Sequence, residues 1–442
     1  MATPVLRPLG LLGALALIPA ATAAMAAADA DTYRELDRFM SVFERVRAAY
    51  VEPVDDEELI RGAIDGMLAS LDPHSGYLDA SDFENLRTQT EGSYGGLGLT
   101  VTMEDGAVKV VTPTEDTPAD RAGMKAGDYI THLDGELIYG GTLDEAVERM
   151  RGEPGTSIQL TVVRPGRDQP FDVTITRAII ELKPVKWEVR DRVGILNINS
   201  FNVNTGDAVL SALNSIDKAI GGKPLGYVVD LRSNPGGLLD QAIAVADAFL
   251  ERGEVVSQRG RDKGDIERFY ARAGDAAHGL PVVVLVDAGS ASAAEIVAGA
   301  LQDHRRAIVM GERSFGKGSV QTLLPLSRDS ALRLTTARYF TPSGQSVQEG
   351  GIRPDIAVPQ LSDPDWKGRP RFRESDLRRH LINEVTIDDE VLQDDGKDDP
   401  RFAVTPEELK AQGIEDYQLH YATRTIARLA ELPARGKVAA RN

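Results

Sequence analysis

The stretch that most constrains this chain is the apolar run Pro281 to Val286 (PVVVLV), followed shortly by Gly289-Ser290-Ala291-Ser292-Ala293-Ala294-Glu295. β-Branched residues at that density, without polar alternation, make a strand buried on both faces, as in a parallel sheet covered by helices. Small residues then release the backbone into an apolar helix from Ala293 to Leu301, so the serines stand on a strand-to-helix turn. A hydroxyl on such a turn can face a cleft, and the unpaired N–H groups of the new helix point at any oxyanion that forms beside it. The same letters also write a capping box, Ser292-x-x-Glu295, whose whole purpose is to start a helix. Both readings stand on these residues alone.

Downstream, Ser314-Phe315-Gly316-Lys317-Gly318-Ser319-Val320-Gln321 sets a lysine between two glycines at the entrance to a strand. A lysine aimed into a dry pocket loses the stabilisation of its ammonium form, so its pKa falls and it can accept a proton from serine. With a strand period of two, Lys317, Ser319 and Gln321 face one side, where a neutral amide can fix the amine without charging it. A surface lysine in a glycine turn is the plainer alternative. Further upstream, Arg232-Ser233-Asn234-Pro235-Gly236-Gly237-Leu238 follows another apolar strand. Paired glycines there let a backbone N–H approach a substrate oxygen closely, as an oxyanion hole requires, or simply make a tight turn.

Together these residues resemble the carboxy-terminal processing peptidases, or tail-specific proteases, which use a serine/lysine dyad. The resemblance implies Ser292 as nucleophile, Lys317 as general base, Gln321 as the residue that positions the lysine, and Asp303 as a supporting acid. It also implies an oxyanion hole from Gly236 or Gly237 with the N–H of Ala293. A rival pattern, Ser314-x-x-Lys317, fits penicillin-recognising enzymes built on Ser314, although their Ser-Asp-Asn and Lys-Thr-Gly companions are absent.

Tyr94-Gly95-Gly96-Leu97-Gly98-Leu99 opens a second module. A glycine cluster running into alternating apolar residues predicts a loop of exposed N–H groups, able to hold a carboxylate, followed by a strand edge. The strand Tyr129 to Leu133, the turn Asp134-Gly135, the helix Thr142 to Arg151 and a closing strand Ser157 to Arg164 follow. This order resembles a PDZ domain, which implies that Gly95, Gly96, Leu97 and Gly98 take the carboxy-terminus of a peptide added as an extra strand. In relatives a PDZ arginine reaches the protease core; Arg164 is the candidate here, against the plainer reading of a solvated strand-end residue.

The fold class is α/β with mixed α+β character, from strands alternating with helices between Ile179 and Leu301. The resemblance implies a ClpP/crotonase-like layered core with an inserted PDZ domain and helical N- and C-terminal regions. The boundaries read as a signal peptide at 1–28, a helical region and the start of the core at 29–92, the PDZ domain at 93–177, the protease core at 178–360, and a charged linker with helices at 361–442. Arg7 before the apolar stretch Leu9 to Ile18, then alanine-rich cleavage choices, predicts export to the periplasm, with an uncleaved anchor as the minor alternative. Leu36, Phe39, Met40, Phe43, Val46 and Tyr50 recur at helical spacing, in a region that relatives often use for dimer contacts. His74, after a proline in a turn, reads as structural.

A formal charge of -18 without a long basic run excludes nucleic acid and anionic membranes as partners. The absence of cysteine removes thiol catalysis, disulfides and a cysteine-linked lipid anchor. The expected activity is that of an exported serine endopeptidase, without metal or cofactor, acting on protein substrates with apolar C-termini, with an adaptor protein and a homo-oligomer as further expectations. The alternative is a catalytically silent PDZ scaffold that only recruits tails.

Overall fold

The structure, a computed structural model, describes residues 18–431 apart from 139, 263, 386–398 and 400. The predicted export segment therefore lies largely outside the described residues, as does most of the charged run Asp388 to Asp399. The described chain divides into two compact units between Leu71 and Asp72.

The first unit is helical. Helix Ile18–Ala49 is followed by a break that contains Pro53 and then by helix Asp56–Ala69. Asp55 caps the second helix by accepting the N–H groups of Glu57 and Glu58, and three acidic residues in its first turn suit the positive end of the helix dipole. An apolar stripe including Leu36, Phe39 and Met40 stays exposed on the first helix. Among the described residues no helix is long and apolar enough to cross a membrane.

The second unit is organised around a six-stranded sheet. Strands Val193–Ile198, Gly226–Asp230, Val282–Val286, Ile308–Gly311 and Ile356–Ala357 run parallel in that order, with Val185–Arg190 antiparallel at one edge. Every residue of Gly226–Asp230 and Val282–Val286 is buried, as the unbroken apolar runs require. Helices Thr205–Ile220, Leu239–Asp247 and Ala293–Asp303 supply the core on one face. The other face is closed by the tail, because helices Pro406–Ala411 and Tyr417–Glu431 bring Leu409, Leu419, Ala422 and Ile426 against Val193, Val228, Val283 and Leu285. The sequence left open whether this tail packs on the core; it does.

A second sheet runs Gly76–Leu78, Ala331–Phe340, Gly253–Arg259 and Ile266–Ala271, with Ser319–Pro325 also paired to Ala331–Phe340. Strand Ile266–Ala271, within the polar stretch Arg259 to His278, forms the outer edge of this sheet. Ile266, Arg268 and Tyr270 are exposed on its outer face, while Phe269 and Ala271 are half-buried and pack against the core.

The inserted module has its own core around Val108, Val110, Ile130, Leu133, Leu160 and Val162, each fully buried. Its capping box, Thr142 with Glu145, starts helix Leu143–Met150. Strand Phe171–Thr176, and not Ser157–Val163, closes the module. Strand Ser93–Gly96 pairs with Ala178–Glu181 to form a two-stranded stem. Gly95 and Gly96 are therefore stem residues, and only Leu97 and Gly98 make the loop that leads into edge strand Leu99–Glu104.

Candidate active site

Three loops meet at the C-terminal ends of the parallel strands, the end at which open α/β sheets hold their ligands. They carry Asn234-Pro235-Gly236-Gly237, the serine turn and the lysine loop. Of the two serines on the turn, Ser290 is fully buried and donates to the Leu231 carbonyl at 2.8 Å, which ties the turn to its neighbouring strand. Ser292 is partly exposed. Its backbone sits at φ 54°, ψ -113°, a conformation costly for a residue with a side chain. Its N–H is held by Glu295 Oε2 at 2.8 Å.

Glu295 does more than start the helix. It is fully buried, and its carboxylate also accepts the Ser314 hydroxyl at 2.5 Å, the Gly316 N–H at 2.7 Å and the Lys317 N–H at 3.0 Å. Oε2 serves Ser292 and Lys317 together, so their backbone nitrogens lie no farther apart than two hydrogen bonds end to end. The hydroxyl of buried Tyr339 donates to the Lys317 carbonyl and lies 3.2 Å from the Ser292 carbonyl, joining the same two residues again. Burial pushes the Glu295 carboxyl up to about 7 despite these donors.

Ser314, the residue on which the penicillin-recognising alternative depends, is fully buried, and its hydroxyl accepts the Ile352 N–H at 2.6 Å while donating to Glu295. It is a brace inside the lysine loop, which removes that reading. Glycine flanks Lys317 for a steric reason. A Cβ on Gly316 would stand 2.7 Å from the Glu349 carbonyl oxygen, and one on Gly318 would stand 2.6 Å from the Gln348 nitrogen. The Lys317 pKa is lowered, chiefly by burial and further by Arg333, while Glu374, Glu295 and Asp72 oppose the shift.

Gln321 departs from its expected role. It shares a face with Ser319, as a period of two requires, but its amide donates to Ser319 Oγ at 3.0 Å and Thr335 Oγ1 at 3.2 Å. Lys317 precedes the strand, which begins at Ser319, so the alternation does not reach it. Asp303 lies at the far end of helix Ala293–Asp303 from Ser292, where it accepts the Ser343 N–H at 2.8 Å and fixes that turn. Arg164 serves its own module. It forms a two-pronged pair with buried Asp128 at 2.6 and 2.8 Å and donates to the Gly123 carbonyl at 2.9 Å, so its half-exposed guanidinium is spent inside the module.

The glycine loop approaches the serine turn directly. Buried Asn234 accepts the Gly236 N–H at 2.8 Å and donates to the Ile198 carbonyl at 2.6 Å, while its own carbonyl receives the Ala291 N–H at 2.9 Å. The Gly236 N–H is thus occupied, whereas the N–H of Gly237 has no acceptor among the described residues, and Ala293, first in its helix, has none within that helix. A Cβ on Gly236, at φ 99°, would stand 2.8 Å from Ser292 Cβ and 3.0 Å from the Ala293 nitrogen. Gly236→Ala should therefore push the loop off the serine turn and lower kcat about 100-fold, the scale of one lost oxyanion donor. Peptide hydrolysis measured beside a melting curve tests this, and parent-like kcat would show that the loop can shift freely.

Comparison with known proteins settles the family. Peptidase family S41 matches residues 192–358, the PDZ domain matches residues 95–175, and the activating protease CtpB N-terminal domain matches residues 18–82. The carboxy-terminal-processing protease of Bartonella bacilliformis is 53% identical over 353 residues, covering 79% of this chain and 81% of that protein. The chain belongs to the carboxy-terminal processing peptidases of family S41. Another relative, the carboxy-terminal processing protease CtpB of Bacillus subtilis, is 34% identical over 395 residues, covering 87% of this chain and 81% of its own length. Among solved structures, the photosystem II D1 C-terminal processing protease shares 31% identity with a TM-score of 0.44, covering 72% of this chain and 92% of that chain. This peptidase is of the serine type, carries a PDZ domain and acts on protein substrates.

Proposed function

We propose that this peptidase is an exported endopeptidase in which Ser292 and Lys317 form the catalytic dyad and the PDZ domain selects substrates by their apolar C-terminal tails. The observation that carries the dyad is the single Glu295 oxygen holding the N–H groups of both residues. Ser292 Oγ attacks the peptide carbonyl as the neutral Lys317 amine takes its proton, and the N–H groups of Gly237 and Ala293 receive the oxyanion. The lysine ammonium then protonates the leaving amine, and water, activated by the same amine, releases the acyl group. Gln321 enters this reading indirectly, by fixing Ser319 and Thr335 around the lysine loop.

Tail selection is supported by the loop before edge strand Leu99–Glu104. The N–H groups of Leu97 and Gly98 have no acceptor among the described residues, and the strand edge beyond them can pair with a peptide. The exposed stripe at Leu36, Phe39 and Met40 supports self-association of the helical unit, and the Arg7 to Ala28 segment supports export to the periplasm.

An unfolded protein ending in apolar residues should be cleaved at least about tenfold faster with a free terminal carboxylate than with an amidated one. Equal rates would refute tail selection. Binding without new fragments would instead establish the silent scaffold.

A further inference from the structure

Glu374 lies beyond residues 192–358, the span that matches family S41, and is fully buried. Its N–H donates to the Phe315 carbonyl at 3.1 Å, and the neighbouring Arg373 guanidinium donates to the Ser314 carbonyl at 2.7 Å, so the segment is fastened to the lysine loop. His74 Nε2 lies 2.8 and 3.0 Å from its two carboxylate oxygens. Gln348 donates to the same carboxylate at 3.0 Å and accepts the Gly318 N–H at 2.9 Å, which links Glu374 through one buried side chain to the residue after Lys317.

Among the described residues the charges that act on Lys317 are those of Glu374, Arg333, Glu295 and Asp72, with Glu374 first among the carboxylates. The Glu374 carboxylate contacts His74 and Gln348, and its charge acts on Lys317, Tyr339 and His380. Glu295 already receives four donors, and Asp72 receives the N–H groups of His74 and Ser75 and the hydroxyls of Ser75 and Thr335. Among the described residues Glu374 receives the His74 and Gln348 side chains alone, so it keeps acceptor capacity.

We infer that Glu374 is the fixed counter-charge for the ammonium that forms on Lys317 as Ser292 attacks, a positioning residue held in place by His74 and Gln348. Burial favours the neutral amine before attack and opposes the ammonium after it; a preorganised anion offsets the second effect at the moment charge develops. No proton passes to Glu374, since Lys317 takes it from Ser292 and returns it to the leaving amine. The inference rests on the assignment of Ser292 and Lys317 given above.

The test is the pH dependence of Ser292 labelling by a fluorophosphonate, on the full chain. Labelling rises with pH as the Lys317 amine loses its proton. In Glu374→Gln the midpoint of that rise should move to lower pH, because the ammonium has lost its partner, while the plateau rate falls roughly tenfold. Glu374→Asp should fall between Gln and the parent in both respects. A lower plateau with an unmoved midpoint, or no change in either, would reduce Glu374 to a structural residue and overturn the inference. Should circular dichroism show Glu374→Gln unfolded, Glu374→Asp decides alone, with a midpoint below the parent's in support and an unmoved one against. Lys317→Met separates the two claims, since a pH rise that persists there refutes the base assignment itself.

Discussion

Ser292→Ala and Lys317→Ala should each lower kcat by about 10,000-fold or more, because nucleophile and base act as one unit and either loss removes the whole covalent route. Both variants should melt with the parent. Lys317→Met should go further and stabilise the protein by about 1 kcal/mol, since it replaces a disfavoured buried amine with an apolar chain of similar length. The sign of the pH effect follows from the lowered Lys317 pKa. Between the folded value and the ordinary lysine value the unfolded chain binds a proton that the folded chain does not, so stability rises with pH through that window. Lys317→Met abolishes that contribution. Denaturant melts across this range, read beside cleavage rates, check both halves; full activity in Ser292→Ala or Lys317→Ala would refute the dyad.

The second large effect belongs to Glu295→Gln. Four donors converge on the carboxylate, and an amide turns one of its acceptor oxygens into another donor, leaving buried N–H or O–H groups opposed. A loss of about 3 kcal/mol is expected, together with loss of cleavage, because the serine turn and the lysine loop lose their shared anchor. The native carboxyl is pushed from 4.5 up to about 7, so between those values the folded chain keeps a proton that the unfolded chain has released. Stability should therefore fall as pH rises from about 4.5 to 7 and level off above it, and the Gln variant should lack that slope. Parent-like stability and activity in Glu295→Gln would show that the anchor is dispensable.

What was legible in the sequence was whatever leaves a local mark. Gly236, Gly316 and Gly318 are glycine because neighbouring backbone occupies the place of a Cβ, and such sites stand out as paired or flanking glycines. The serine turn was legible from the run of buried valines before it. Glu295 was read only as a cap, since its bonds to Ser314, Gly316 and Lys317 cross 19 to 22 residues and alter no local periodicity. His74 and Glu374 stand 300 positions apart, and neither has flanking residues that announce the other. The tail helix Tyr417–Glu431 was readable as a helix, but an apolar face says only that something covers it, and the partner surface is itself a continuous apolar strand. Strand Ile266–Ala271 leaves little mark because its outward row carries the apolar Ile266 and Tyr270 while its inward row opens on Glu267, so polarity does not alternate along it.

The covering of the central sheet by residues that follow the segment matching family S41 bears on how the interior of this peptidase is completed. Arg232, just ahead of the Asn234-Pro235-Gly236-Gly237 loop, divides its guanidinium between Asp230, at 2.6 and 2.9 Å, and Asp416 of the tail, at 2.7 and 3.0 Å. The tail thus supplies one wall of the hydrophobic interior and two partners of Arg232, Asp416 and Gln418. Removal of the tail would therefore bare the hydrophobic face of the central sheet and free the guanidinium that stands beside the Asn234-Pro235-Gly236-Gly237 loop.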